Sequence, residues 1–326
     1  MEGKDAVANV LPLARRVDVI AHLVEGAGVR TTTRLTGVHK GTILRLLLNV
    51  GNGCMRLHDR LVRDVDVREI ESDEIWSYIH KKQARVKEGD PSEWGNAFTY
   101  VAMARTSKLV IAFRTGKRND ETTEEFIADM RSRLVTVPLL ATDGYPAYPA
   151  AIAEHFGGSV DYGIVQKNYS RKRQYDGPPT DHRYATRRVK FVTKKIKFGA
   201  PDMAKISTSH IERQNLTMRM QIRRLTRLCN GFSKKLENHR AAIALHFAYY
   251  NFCRVHETLK VTPAMEAGVA DHVWSLEELI LMALEEPEGK RPEPKRLKLP
   301  TQGEGKEAVG SAARELPNGR GWLRLV

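Results

Sequence analysis

The chain has 326 residues, 41% of them hydrophobic, which is enough to bury a sizeable core and to form about two domains. Lys and Arg number 53 against 39 Asp and Glu, and the resulting net charge of +14 favours a polyanionic partner, nucleic acid ahead of a membrane surface. No apolar run reaches about 18 residues and the N-terminus lacks the pattern of a secretory signal, so a cytoplasmic protein without a membrane partner is expected.

From Leu13 to Gly51 the pattern predicts three short helices. Val17, Ile20, Ala21, Leu23 and Val24 form the stripe of the first, and "EGAG" ends it with glycines. A second covers about Thr31 to Leu35, "TGVHKGT" makes a tight turn, and a third runs from Thr42 to Val50. Helix, turn and helix match a helix-turn-helix, whose last helix enters a major groove and would bring Lys40, Thr42 and Arg45 to DNA. A small helical bundle is the plain alternative. Cys54 and His58 could share a helical face, but two ligands do not make a metal site, and Cys54, Cys229 and Cys253 form no CxxC pair.

After Val65 the period shortens. "VREIESDEIWSYIH", "NAFTYVAMAR" and "KLVIAFRTGK" read as three antiparallel strands. "NDETTEEFIADMRSRL" starts acidic and sets Phe126, Ile127, Met130 and Leu134 on one helical face. "VPLLATD" is a short buried strand ending at Asp143, followed by a Gly-Tyr-Pro turn that contains Tyr145.

Gln166–Phe198 is the most basic stretch, with eleven Lys or Arg against two Asp, or 11 − 2 = +9 net. Tyr169, Tyr175, Tyr184 and Phe191 are interleaved among the charges, as a surface that grips phosphates and stacks on bases requires. On this reading Arg171, Arg173, Arg187, Arg188, Lys194 and Lys195 contact DNA; the bland alternative is a solvated basic loop. "TSHIERQNLTMRMQIRRLTRL" reads as a helix with Ile211, Met218, Ile222 and Leu225 inward, and "ENHRAAIALHFAYYNFCRVH" as a more buried one. Beyond Glu286 the chain is rich in Pro, Gly, Lys and Glu and is expected to be disordered, although Trp322 and Leu323 could dock.

Three acids stand out. Asp73 lies within the first strand, Asp143 at the end of a later strand, and Glu212 in the first turn of a helix. Hard divalent cations take oxygen ligands, so three such acids brought together can hold magnesium or manganese for phosphoryl chemistry, and two ions can serve the attacking and leaving oxygens. Alternation puts Glu71 and Asp73 on one strand face and Glu74 on the other, making Glu74 the weaker ligand candidate. Spacings of 7 and 4 residues place Arg219 and Arg223 on the side of Glu212, toward a shared DNA groove.

"SDEIWSYIHKKQ", "LLATDGYPAY", "STSHIERQNLTMRMQIRRLTR" and "FAYYNFCRVHETLKVTPAMEAGV" resemble, in this order, the DDE transposases of the insertion-sequence-one (IS-one) type. The resemblance covers roughly residues 65–270 and implies an α/β fold: a ribonuclease H-like catalytic domain with a mixed five-stranded sheet flanked by helices, behind a small all-α helix-turn-helix domain. It matches Asp73, Asp143 and Glu212 to the family's metal-binding triad. The implied organisation is a DNA-binding domain over 1–60, a catalytic domain over 65–270 with a basic insertion at about 166–200, and a C-terminal helix and tail over 271–326. The implied activity is metal-dependent hydrolysis of DNA 3′ strands at element ends and their transfer into target DNA. The partners are then double-stranded DNA, as inverted-repeat ends and target, and further copies of the chain, in a dimer or larger assembly associated with the nucleoid. Relatives commonly carry a cysteine zinc motif before the helix-turn-helix, which this chain lacks. A DNA-binding regulator or a nuclease that cuts without joining remain alternatives on the same fold.

Overall fold

The computed structural model describes residues 11–158, 160–173 and 187–285, without the side chains of 171–173 and 187–188. The expected DNA contacts of Arg171, Arg173, Arg187 and Arg188, and the tail with Trp322 and Leu323, therefore lie outside the described residues and side chains.

The three N-terminal helices form where the periodicity predicts them: α1 (Leu13–Val24), α2 (Val29–Thr36) and α3 (Lys40–Leu61). Gly37 adopts a left-handed φ of 69° that closes α2, and the His39 imidazole Nδ1 accepts from the Gly41 N–H at 3.2 Å to cap α3. The third helix is longer than expected, running past Val50 for three further turns. Glycine costs a helix about 1 kcal/mol relative to alanine, so Gly51 and Gly53 argued for an end there. Tertiary packing overrides that cost. A Cβ at Gly51 would overlap the Ala241 backbone and one at Gly53 the Ala283 backbone, so both positions serve close helix crossings. Leu47, Val50, Cys54 and Leu57 consequently belong to the same core as the sheet.

β1 (Glu69–Ile79), β2 (Gly95–Ala104) and β3 (Val110–Gly116) make the expected antiparallel meander. Asn119 caps α4 (Asp120–Ser132) by accepting from the Thr122 N–H, and the predicted face of Phe126, Ile127 and Met130 is fully buried. The chain returns through β4 (Leu139–Thr142), parallel to β1, then α5 (Tyr148–Phe156) and β5 (Tyr162–Arg173), parallel to β4. These five strands, in the order β3-β2-β1-β4-β5, form the mixed sheet of a ribonuclease H-like domain.

A sixth strand corrects the five-stranded expectation. β6 (Arg187–Phe198) pairs antiparallel with β5, so the basic stretch is a two-stranded ribbon at the sheet edge rather than an irregular loop. Its cation content masked the strand signal of Val189, Phe191, Val192 and Ile196, all exposed.

Four helices follow: α6 (Ser209–Gln221), α7 (Leu236–Ala248), α8 (Pro263–Glu266) and α9 (Leu276–Leu284). Ile211, Met218, Ile222 and Leu225 are buried with Ile75, Val101 and Phe247, the first two on α6 as their spacing predicts. One register detail matters for the site. β4 pairs with β1 only from Glu69 to Ser72, which leaves that edge of β1 without a neighbouring strand beyond Ser72. The segment after α6 runs along the vacant edge and bridges Ile79 through Ser233. No described helix is long and apolar enough to cross a membrane.

Candidate active site

The unpaired edge of β1 opens where Asp73 stands, one residue past the last pair with β4, and Asp143 follows the last residue of β4. β4 stops while β1 runs on, so the two strands present two carboxylates to one opening where their pairing ends. Glu212 reaches it from the first turn of α6. Asp73, Asp143 and Glu212 line a single cavity of about 520 Å³, together with Arg118, Lys167 and Tyr169.

Each carboxylate is held. Asp73 accepts from the Glu74 N–H through Oδ1 and from the Asn215 amide through Oδ2, both at 2.8 Å. Asp143 Oδ1 accepts from the Tyr145 N–H at 2.9 Å, the local side-chain turn expected of an aspartate at a strand end. Glu212 accepts from the Thr208 hydroxyl at 2.8 Å and pairs with the Lys167 ammonium. Tyr145 stays in the turn, its ring 4.0 Å from the Arg118 guanidinium.

Burial, with the nearby charges of Asp143 and then Glu212, pushes the Asp73 carboxyl up to about 7. Burial and Asp143 likewise push Glu74 up to about 7 against the pull of Arg118 and Tyr148. Acids crowded in this way favour either a proton or a cation between them.

Glu74 departs from the expectation. It lies on the opposite strand face from Asp73, yet ligand atoms of Asp73, Glu74 and Asp143 all lie within 4.8 Å of one another. With no strand beside β1 past Ser72, a side chain from either face can bend round the edge toward Asp143. Its carboxylate is 2% exposed and pairs with Arg118 at 3.1 Å, and Arg118 also approaches Asp143 at 3.6 Å. Glu212 is not part of that tight group and contributes its charge from across the cavity.

Four contributors escaped the sequence reading. Glu71, 2% exposed, accepts from the N–H groups of His210 and Ile211 at 2.8 and 3.1 Å, fixing the start of the helix that carries Glu212. Asn215 stands three residues after Glu212 on the same helix, a spacing that could have flagged it. Arg118 and Lys167 gave no signal, because only the fold brings them to the cavity.

The expected pairing of Arg219 and Arg223 with Glu212 does not hold for Arg223. The helix ends at Gln221, Ile222 turns extended into the core, and Arg223 begins a separate short turn, so helical spacing no longer applies. Arg219 remains on α6, half-buried, within the electrostatic reach of Asp73. Lys40 and Arg45 are exposed and Thr42 half-exposed near the start of α3, on the side away from Ile43 and Leu47. On the ribbon, Lys195 is exposed and Lys194 donates to the Met203 carbonyl at 2.9 Å. Cys54 is fully buried in the core, in line with a packing role.

The strand order and mixed directions are those of a ribonuclease H-like sheet, with one carboxylate on β1 just past its last pair with β4 and one just past β4. The profile of the IS1 transposase family matches residues 184–253, from β6 through α7 to the turn after it. That match spans about a fifth of the chain. No curated protein matches the chain. Two solved structures are similar to it: "Crystal structure of the Mos1 Strand Transfer Complex", at 12% identity over 50% of this chain and 60% of that one with a TM-score of 0.20, and "Crystal structure of a pre-cleavage Mos1 transpososome", at 11% over 50% and 61% with a TM-score of 0.19. The chain spans about three fifths of the length of those two, and TM-scores this low carry no weight for function.

Proposed function

We propose that the chain is a DNA transposase that hydrolyses DNA 3′ strands at the ends of its element and transfers them to target DNA. The observation that carries this reading is the meeting of Asp73, Asp143 and Glu212, from a strand, a strand end and a helix, around one cavity. The donor set suits hard cations, being carboxylate oxygen with the buried Glu74 carboxylate beside it.

Asp73, Asp143 and Glu212 would hold the divalent cations, and Glu74 stands close enough to share that task. Bound magnesium or manganese, as two ions, supplies neutralisation of phosphate charge and activation of the attacking oxygen. The chain itself supplies placement. Glu71 anchors α6, Asn215 orients Asp73, and Arg118 is fixed between Glu74, Asp143 and the Tyr145 ring, where its charge faces an incoming phosphate. Lys167 neutralises Glu212 in the free chain.

The exposed start of α3, with Lys40, Thr42 and Arg45, is proposed to read the inverted-repeat ends. The ribbon, including Arg171, Arg173, Arg187, Arg188, Lys194 and Lys195, is proposed to grip double-stranded DNA beside the cavity, with Arg219 and Arg223 behind it. Residues 1–60 form the DNA-reading unit, 65–270 the catalytic unit and 271–326 its C-terminal extension. A dimer or larger assembly on DNA, in the cytoplasm at the nucleoid, completes the reading.

The test is incubation with labelled DNA carrying the flanking inverted repeats, magnesium and a plasmid target. Cleaved 3′ ends and labelled plasmid are expected. Cleavage without labelled plasmid would reduce the chain to a nuclease, and absence of both would overturn the reading.

A further inference from the structure

A second cavity, about 500 Å³, opens on the same vacant edge of β1. Its volume lies in the range of small-ligand sites, roughly 300 to 1,000 Å³. Trp76 and Tyr78 of β1 and Phe232 of the covering segment line it, the Tyr78 and Phe232 rings stacked with centroids 5.0 Å apart and Trp76 5.8 Å from Tyr78. Arg224 and Arg227 line it from the same segment.

The charge is the unusual part. Arg224 is largely buried, donates to the Ser233 hydroxyl at 3.1 Å, and no ion pair to a carboxylate is found for it among the described residues. Burial pushes its guanidinium down to about 10, a sign that the cation lacks compensation there. A cation taken from water without a partner is costly unless an anion joins it. Arg219 has a buried, unpartnered Nη1 and lies within reach of both Arg227 and Asp73. Unpaired guanidinium groups therefore lead from the carboxylate cavity to the aromatic one. Along β1 the step from Asp73 to Trp76 is three residues, roughly 10 Å at the rise of a strand. A nucleic-acid strand crosses that distance within a few nucleotides.

We propose that this cavity holds one unpaired nucleotide of the DNA strand engaged at the carboxylates, its phosphate on Arg224 and Arg227 and its base against the Trp76, Tyr78 and Phe232 rings. Stacking on aromatic side chains accepts any base, and the largely buried Arg224 with the exposed Arg227 takes the phosphate that a paired duplex would keep outside. A strand held at both cavities is fixed at two points, which orients the scissile phosphate. The proposal rests on the reading of the chain as a DNA-processing enzyme.

The experiment uses the full chain in EDTA, so that no strand is cut, and follows anisotropy of a short 5′-fluorescein oligothymidine and of a blunt, fully paired duplex. Tyr78→Leu should weaken oligothymidine binding about ten-fold, the lower end of the effect of losing a base stack, and the exposed Arg227→Ala about as much through loss of a phosphate contact. Tyr78→Phe, which keeps the ring, should bind within about two-fold of the parent, and so should all three variants on the duplex. If Tyr78→Leu does not fold, Arg227→Ala carries the test. Parental oligothymidine affinity in both disruptive variants, or equal losses on the two probes, would overturn the proposal. The readout is separate from cleavage: a parent chain that fails to cut element ends removes the transposase reading, while the oligothymidine result still decides the cavity.

Discussion

The two flanks of the sheet obey different rules. On the β2–β3 side, Tyr100, Val101, Ala102, Ile111 and Ala112 are wholly buried between α4 and the helices α3, α6 and α7. On the β5–β6 side the ribbon leaves Tyr169, Phe191, Val192 and Ile196 exposed among lysines. The first flank uses its side chains to hold the fold; the second spends apolar and charged groups on a surface with no core to serve. The carboxylates sit between the two, where β1 and β4 end their pairing. Damage on one flank should therefore cost stability and on the other nucleic-acid affinity.

The largest effect is expected at the helix crossing behind the buried flank. In an exposed helix Gly→Ala would stabilise by about 1 kcal/mol. Gly53→Ala should do the reverse, because its Cβ would overlap the Ala283 backbone and force α3 and α9 apart, at an overpacking cost of about 1 to 3 kcal/mol. Thermal melting checks the sign, and a higher melting temperature would show that the crossing is slack.

On the ribbon, replacing Lys190, Lys194, Lys195 and Lys197 by Ala should flatten the slope of log affinity against log salt by about two to four units for duplex DNA. The melting point should stay nearly where it was, since surface changes usually fall within about 0.5 kcal/mol. An unchanged slope would make the ribbon a solvated face or a protein contact.

At the junction the expected change is in how stability depends on pH. Burial and Asp143 raise Asp73 in the folded chain to about 7, above the ordinary carboxylate value of about 3.9. A raised folded value means that its contribution is fully present below the ordinary range and is lost as pH rises to about 7, so the metal-free chain should weaken across that window. Asp73→Asn should melt higher than the parent at pH 8 without metal, by on the order of a few degrees. Magnesium should raise the parent more than the variant. A lower melting point for Asp73→Asn at pH 8 would contradict the crowding argument.

What could be read from the sequence followed from how much each signal depended on distant parts of the chain. The acidic start and apolar face of α4, and the alternation along β1, are local patterns and appear as expected. The run of α3 past Gly51 was set by packing partners far along the chain, and the strand character of β6 was hidden by its lysines. Ala241 and Ala283 turned two helix-breaking glycines into contacts. The site divides in the same way. Asp73, Asp143 and Glu212 were legible from their places on elements and from the resemblance. The inclusion of Glu74 depended on β4 releasing β1 after Ser72, which no spacing encodes. The roles of Glu71, Arg118 and Lys167 exist only once α6, β3 and β5 converge.

The central claim, that Asp73, Asp143 and Glu212 form one cation-holding site for strand cleavage, is tested most directly by Asp143→Asn. Cleavage of end-labelled element DNA in magnesium and binding of the same DNA in EDTA should be measured side by side. Cleavage should fall by at least roughly a thousand-fold, as for loss of a group acting only on the reaction, while affinity stays within about two-fold. Magnesium-dependent cleavage by Asp143→Asn at the parental rate would contradict it.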